Sequence, residues 1–368
     1  MSFLDLPIVV NDQRQIIHVD MDAFYASVEE REHPAFRQKA LVIAPDPRQH
    51  NGHGVITTAN YKARQYGIGS AMPAIKALEQ IPTEYLQFTD PHFDLYKQVS
   101  AQIHQIFAQV TAQWEPVAFD EAYLDVTHNN LGMCNPIQVA QWIQRRIKQD
   151  LHLTCSVGIS YNKFLAKMAS DYAKPFGRTV ITSVQAMNFL AELPIAKFHG
   201  IGQAMQKKLA ALGLETGRQL QQVPVEQLTQ KLGKMGFVLY QRAHGMDDEP
   251  VHTKRQHKSI SSERSFNRPV FNDQELTQIL EQQAQQVATV LQQKQLRGQT
   301  VVLKVRTLEF VTYTRRKTLA HLTNDAQLIY QTSQQLFAQL ALTNQPLRLL
   351  GIGVTNLTTQ KFEEMTLF

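Results

Sequence analysis

A chain of 368 residues, 43% hydrophobic and 19% charged, is globular in composition and long enough for two to four compact domains, which excludes a disordered or fibrous polymer. It opens MSFLDLPIVVNDQRQ without a secretory leader's basic and apolar regions, holds no apolar run near the roughly 20 residues of a membrane span, and has only two cysteines, Cys134 and Cys155. A reduced, cytoplasmic setting with no membrane partner is expected. The net charge of +5 is concentrated between Lys254 and Lys317, where 12 Lys and Arg face 5 Asp and Glu. That is the footprint of a polyanion partner or, on charge alone, of a solvated basic surface.

In chain order, QIIHVDMD (15–22) reads as a buried strand and AFYASVEERE (23–32) as the helix after it. KALVIAP is a second strand ended by Pro45 and Pro47, followed by a polar loop from Asp46 to Gly54 and a helix entered through TTANYKARQYG. Phe93 to Val110 has helical apolar spacing, PVAFDEAYLDVT gives two short strands with an acidic corner, and Ile137 to Asp150 is helical. LTCSVGIS and KFLAKMASDYA add a strand and a helix, completing an α/β pattern. From about Val184 the texture changes to short helices broken by glycines, as in HGIGQAMQKKLAALGLETG. A polar stretch at Asp247 to Lys254 reads as a linker. Beyond it, KSISSERSF, a Gln-rich helix (Asp273 to Gln293), QTVVLKVRTLEF, FVTYTRRKTL, a helix (Ala326 to Leu340) and LRLLGIGVTNL make two strand–helix–strand units of a separate α+β domain.

Asp20 and Asp22 stand two apart on the first strand and so share a face. Carboxylates on such an apolar strand are costly unless a cation meets them. Asp120 and Glu121 stand at the corner of another apolar pair, and if the two strands are neighbours the carboxylates converge. Hard oxygen donors of this kind suit Mg²⁺, completed by substrate phosphates, and two such ions serve in-line phosphoryl transfer. Taken alone, HVDMD is more often an ordinary pair of turn or cap carboxylates, and it is DEAYLDVT that makes this the lesser reading.

HVDMDAFYASVE, ANYKARQYGI, DEAYLDVT, SVGISYNKFLAKMASDYAKPFG, the glycine hairpin and KSISSERSF occur in an order that resembles the Y-family translesion DNA polymerases, in their bacterial DinB branch, over nearly the whole chain. The resemblance implies an α+β multidomain, right-hand polymerase: an α/β palm (1–22 and 88–182), small fingers (23–87), a helical thumb with a helix-hairpin-helix (183–247), a linker (248–254), an α+β little finger (255–358) and a clamp-binding tail (359–368). It implies a template-directed enzyme that adds dNTPs to a primer 3′-hydroxyl with two Mg²⁺ ions, Mn²⁺ being able to substitute. Asp20, Asp120 and Glu121, with the Met21 carbonyl, would ligate the metals, Glu121 lying nearest the primer terminus, and Asp22 would be structural. Tyr25 would be the steric gate against a 2′-hydroxyl, and Tyr61, Arg64 and Lys174 would bind the triphosphate, Arg as a planar fork and Lys as a point charge. Two places depart from the pattern: the loop after KALVIAP lacks paired glycines and carries QHNGH, and Ala118 and Phe119 replace a Ser-aliphatic pair before Asp-Glu.

LPIAKFHGIGQAMQKKLAALG has helix-hairpin-helix spacing, in which Gly200 and Gly202 permit a turn whose N–H groups face a phosphate and Lys207 and Lys208 follow. An ordinary helical hairpin reads the same way. In VVLKVRT, Leu303 and Val305 alternate with Lys304 and Arg306, while Arg315, Arg316, Lys317 and Lys258 add charge, so a sheet with one basic outer face is expected to hold the DNA backbone. The ending EEMTLF resembles the peptide that docks bacterial polymerases on the sliding clamp, with Met365, Leu367 and Phe368 as anchors. The four domains leave no room for an exonuclease, so low fidelity and no proofreading are expected, from a monomer acting in DNA damage tolerance. A palm-type nucleotidyl transferase or cyclase, and an inactive DNA- or clamp-binding scaffold, are the alternatives.

Overall fold

The computed structural model describes residues 12–253, 256–342 and 345–359. IIHVDM, with every residue buried, forms β1 (Ile16–Met21) and leads into α1 (Phe24–Glu32). A small sheet follows, made of β2 (Ala40–Ile43), β3 (Thr58–Ala59) and, after α2 (Tyr61–Gln65) and α3 (Ile75–Gln80), β4 (Leu86–Thr89), in the order β3-β2-β4. The chain continues through α4 (Phe93–Val110), β5 (Trp114–Pro116), β6 (Glu121–Asp125), α5 (Pro136–Leu151), β7 (Cys155–Ser160), α6 (Lys163–Tyr172) and β8 (Arg178–Val180). These build a five-stranded sheet in the order β5-β6-β1-β7-β8, with β1 antiparallel to both β6 and β7.

Strand periodicity divides that sheet's faces. Ile17 and Val19 join Ile103, Phe107, Ile143 and Ile147 in the core under α4 and α5. Ile16, His18 and Asp20 point the other way, toward α6, where Ile16 packs with Ala166 and Tyr123. α6 comes unusually close because β7 has Gly158 beneath it: a Cβ there would lie 1.9 Å from the Ala166 carbonyl oxygen and 2.3 Å from the Ser170 nitrogen. That approach brings the α6 side chains over the carboxylate face of β1.

A helical segment follows: α7 (Ser183–Glu192), α8 (Gln203–Ala210), α9 (Gly217–Gln221), α10 (Val225–Leu232) and α11 (Lys234–Ala243), around a core that includes Leu190, Phe198, Leu209 and Leu239. Residues 247–252 are tied down rather than hanging as a free connector. Asp247 accepts from the Phe164 N–H at 2.9 Å, the Pro250 carbonyl accepts from Lys163 at 3.2 Å, and the His252 N–H donates to Glu115 at 2.9 Å. The polar composition that suggests a linker is here the hydrogen-bonding equipment of a docked segment without regular secondary structure.

The chain divides into two compact units, Met1–Arg255 and Gln256–Phe368. The second unit comprises β9 (Ser259–Val270), α12 (Asp273–Gln293), β10 (Leu296–Thr307), β11 (Thr312–Thr323), α13 (Ala326–Ala338) and β12 (Leu347–Thr359). Its antiparallel sheet, in the order β11-β10-β12-β9, buries Val301, Leu303, Val305, Ile352 and Val354 against apolar residues of the two helices. Register fixes the opposite face. Lys304 lies across from Thr314 and Gly351, Arg306 from Thr312 and Leu349, and Val302 from Arg316 and Gly353, so Lys304, Arg306 and Arg316 share the side away from the helices. Arg315 corrects the expectation of a single basic face. It pairs with Leu303, and Lys317 pairs with Val301 and bonds Gln335 of α13, so both take the helix side of edge strand β11. Alternation along TYTRRK splits the three charges between faces. Lys258 is exposed just ahead of β9. The tail residues Met365, Leu367 and Phe368 lie outside the described residues.

Candidate active site

Antiparallel pairing sets Asp20 opposite Glu121, and the Met21 N–H donates to the Asp120 carbonyl at 2.9 Å, so the carboxylate-bearing ends of β1 and β6 meet. Two ammonium groups answer them. Lys167 of α6 stands 2.6 Å from Asp20 Oδ2 and 2.8 Å from Glu121 Oε2, and Lys174 stands 2.7 Å from Asp20 Oδ1 and 2.9 Å from Asp171. His18, wholly buried, places Nε2 3.4 Å from Glu121 Oε2 and Nδ1 2.8 Å from Ser170 Oγ.

The charges tune one another. His18 at 3.4 Å, followed by Lys167, holds Glu121 well below the usual carboxylate range against its desolvation. Burial works against a charged Lys167, but Asp20, Asp171 and Glu121 outweigh it and raise its pKa. Asp120 lacks such a partner. Burial, with Asp20 and Glu121 adding repulsion, pushes it up to about 6. A site that raises one carboxylate and recruits two lysines to the others is short of positive charge. His18, Asp20 and Glu121 offer one nitrogen and two oxygen ligand atoms all within 4.8 Å of one another, and the carboxylate oxygens suit a hard divalent cation.

Asp20, Met21, Tyr25, Tyr61, Arg64, Asp120 and Lys174 line one cleft of about 220 Å³, together with Thr57, Thr58 and Ser70. Glu121 is not on its wall and faces Lys167 and His18 instead. Asp22 is occupied structurally: its oxygens accept from Ser156 Oγ at 2.7 Å and the Phe176 N–H at 2.9 Å. Tyr61 and Arg64 are held by the short helix α2, whose cap Asn60 accepts from the Ala63 and Leu41 N–H groups and donates to Glu30 and the Lys39 carbonyl. Arg64 stacks its guanidinium 5.0 Å over the Tyr61 ring, and burial, then Asp22, pushes the Tyr61 hydroxyl up to about 12. Tyr25 packs edge-on to Phe119, centroids 6.4 Å apart, so the bulky residue before Asp120 braces the tyrosine. The atypical loop closes on itself through an Arg48–Asp46 pair at 2.6 Å.

Reading the sequence left out Lys167, Asp171, His18 and Asn60, although all lie in motifs that stood out. The available signal was a lysine amid the apolar residues of KFLAKMA, whose burial demands a carboxylate partner.

Elsewhere in the first unit, Gly200 adopts φ 87° and exposed Gly202 caps α8, its carbonyl accepting from the Met205 and Gln206 N–H groups at 2.9 and 3.0 Å. Lys207 and Lys208 are exposed on the same helix. In the second unit Lys304 pairs with Glu263 at 2.7 Å and Arg306 bonds Thr312.

Comparison with known proteins places this geometry. The impB/mucB/samB family model matches residues 19–171, its C-terminal-domain model residues 257–367, and the DNA polymerase-iota thumb model residues 196–247. The chain is 45% identical to DNA polymerase IV of Streptococcus mutans over 364 residues, covering 99% of this chain and 98% of that one. This chain belongs to the Y family of DNA polymerases. A second relative in the family, the Streptococcus pyogenes DNA polymerase IV, is 44% identical over 96% of each chain. Among solved Y-family structures, a chimera of Dbh and Dpo4 superposes with a TM-score of 0.84 at 26% identity, covering 94% of this chain and 99% of that one. An insertion ternary complex of Dbh DNA polymerase gives a TM-score of 0.67 at 25% identity over the same shares. The right-hand α+β architecture follows from that kinship. Among the described residues no helix is long and apolar enough to cross a membrane.

Proposed function

We propose that the chain is a template-directed translesion DNA polymerase that joins dNTPs to a primer 3′-hydroxyl with low fidelity. The observation that carries this reading is the single cleft shared by two acidic residues, Asp20 and Asp120, and four residues suited to a nucleotide, Tyr25, Tyr61, Arg64 and Lys174. Arg64 and Lys174 would hold the triphosphate, and Tyr25 would close against C2′ of the sugar. Glu121, joined through Lys167 to Asp20 of the cleft, would serve the primer side. Two Mg²⁺ ions held by Asp20, Asp120, Glu121 and the Met21 carbonyl, with Mn²⁺ able to substitute, would supply activation of the attacking oxygen and neutralisation of the phosphates.

Palm, fingers, thumb and little finger with the limits expected from the sequence are part of this reading. Exposed Gly202, Lys207, Lys258 and Arg316, with the half-buried Lys304 and Arg306, would hold primer-template DNA by its backbone, as the ternary complex of a Y-family relative supports. A monomer in the cytoplasm, docked on the sliding clamp through Met365, Leu367 and Phe368, completes it. Incubation with a primed template, dNTPs and Mg²⁺ tests the proposal. Extension of the primer on plain and damaged templates is the expected result. A cyclic nucleotide without extension would point to a palm-type cyclase, and binding without any chemistry to a scaffold.

A further inference from the structure

Tyr25 and Glu29 are one helical turn apart on α1, so both face α4, which presents His92 at its cap and Tyr96 in its first turn. Two contacts join the helices. The rings of Tyr25 and Tyr96 stack with centroids 4.3 Å apart and planes 17° from parallel. One turn along, the Tyr96 hydroxyl donates to Glu29 Oε1 at 2.6 Å, and His92 Nδ1 lies 2.8 Å from the same oxygen. Phe93 closes the group, edge-on to Tyr25 at 5.9 Å and to Tyr96 at 6.0 Å.

Glu29 is wholly buried, and its Oε2 has no hydrogen-bond partner among the described residues. A carboxylate in that position is a poor choice for packing, since leucine or glutamine would be desolvated at less cost. What the carboxylate adds is a short, strong acceptor for one hydroxyl. Burial, with the bond to Glu29 next, raises the pKa of Tyr96, which keeps that hydroxyl a donor. Stacked rings slide over one another at little cost, whereas a bond at the far end of one ring fixes its tilt and depth. A gate that works by van der Waals exclusion depends steeply on such placement.

We propose that Glu29 is a positioning residue for sugar discrimination: by gripping the Tyr96 hydroxyl it fixes the surface on which Tyr25 rests, and so the clearance at C2′ of the incoming nucleotide. Glu29 touches no substrate, and the inference rests on reading Tyr25 as the gate. The test compares kcat/KM for a dNTP and the matching ribonucleotide in Tyr96→Phe, Glu29→Leu, Glu29→Gln and Tyr25→Ala proteins, with melting curves to confirm folding. Tyr96→Phe and Glu29→Leu should lower the ratio about tenfold, the order of one hydrogen bond to a charged group. The change should come from faster ribonucleotide insertion, with dNTP insertion near wild type. Glu29→Gln retains an acceptor and should recover most of the selectivity. An unchanged ratio in the first two variants, or parallel loss for both sugars, would overturn the proposal. If Glu29→Leu does not fold, Tyr96→Phe alone decides. Should Tyr25→Ala keep wild-type selectivity, the gate reading itself fails; should it admit ribonucleotides while Tyr96→Phe does not, only the Glu29 anchor is lost.

Discussion

Lys167 is 8% exposed and touches three carboxylates, Asp20, Glu121 and Asp171, from a helix that also sends Ser170 to His18 and Lys163 to Glu115 of the sheet. A buried charge set of this kind is stable only while its members balance. Lys167→Met keeps the bulk and removes the charge, leaving Asp20 and Glu121 with less compensation. In chelator the variant should lose on the order of 3 kcal/mol of stability, and divalent cations should return much of it by taking over the neutralisation. Thermal melts of both proteins with EDTA and with Mg²⁺ check this; an equal deficit in both conditions would separate the lysine from the cation site. Asn60 is a second quiet residue. Its side chain joins α1, β2 and α2, and Asn60→Ala should raise KM for dNTPs more than it lowers kcat, because α2 carries Tyr61 and Arg64. Steady-state insertion kinetics would show the split.

At the scale of elements, the site depends on α6 lying almost against β7. Gly158 has no room for a Cβ, with the Ala166 carbonyl only 1.9 Å from the position it would occupy. Gly158→Ala should therefore push α6 outward, costing about 3 kcal/mol by over-packing and weakening activity by carrying Lys167 and Lys174 away from Asp20. Denaturant unfolding and primer extension measure the two effects. Periodicity explains how much of this was legible in the sequence. The two-residue alternation of IIHVDM already separated Ile17 and Val19 from His18 and Asp20, and the Gln-rich helix runs from Asp273 to Gln293 as its apolar spacing indicates. Alternation tells which residues share a face but not what lies across it. That Arg315 and Arg316 take opposite faces is implicit in the alternation of TYTRRK, whereas the partnership of Lys167 with β1 and the docking of 247–252 depend on register and on pairings far apart in sequence, which no local pattern contains.

For the molecule as a whole, two units divide the work at Arg255, and the basic charge sits mostly in the second. Backbone contacts release counterions, so affinity for primer-template DNA should fall with salt at a log–log slope of about −0.9 per neutralised phosphate. The open face of the second sheet makes this specific. Arg316→Ala should flatten the slope by roughly one phosphate's worth whatever the DNA sequence, while Arg315→Ala, on the helix side, should leave it unchanged. Equal effects from both would mean that the sheet face does not meet the DNA. The central claim, that Asp20, Asp120 and Glu121 together serve phosphoryl transfer, is tested most directly by single-nucleotide primer extension with Asp120→Asn and Glu121→Gln, alongside their DNA affinities. Extension should be slower by roughly a thousandfold with DNA binding unchanged; extension at the wild-type rate in either variant would mean that these carboxylates do not serve the transfer.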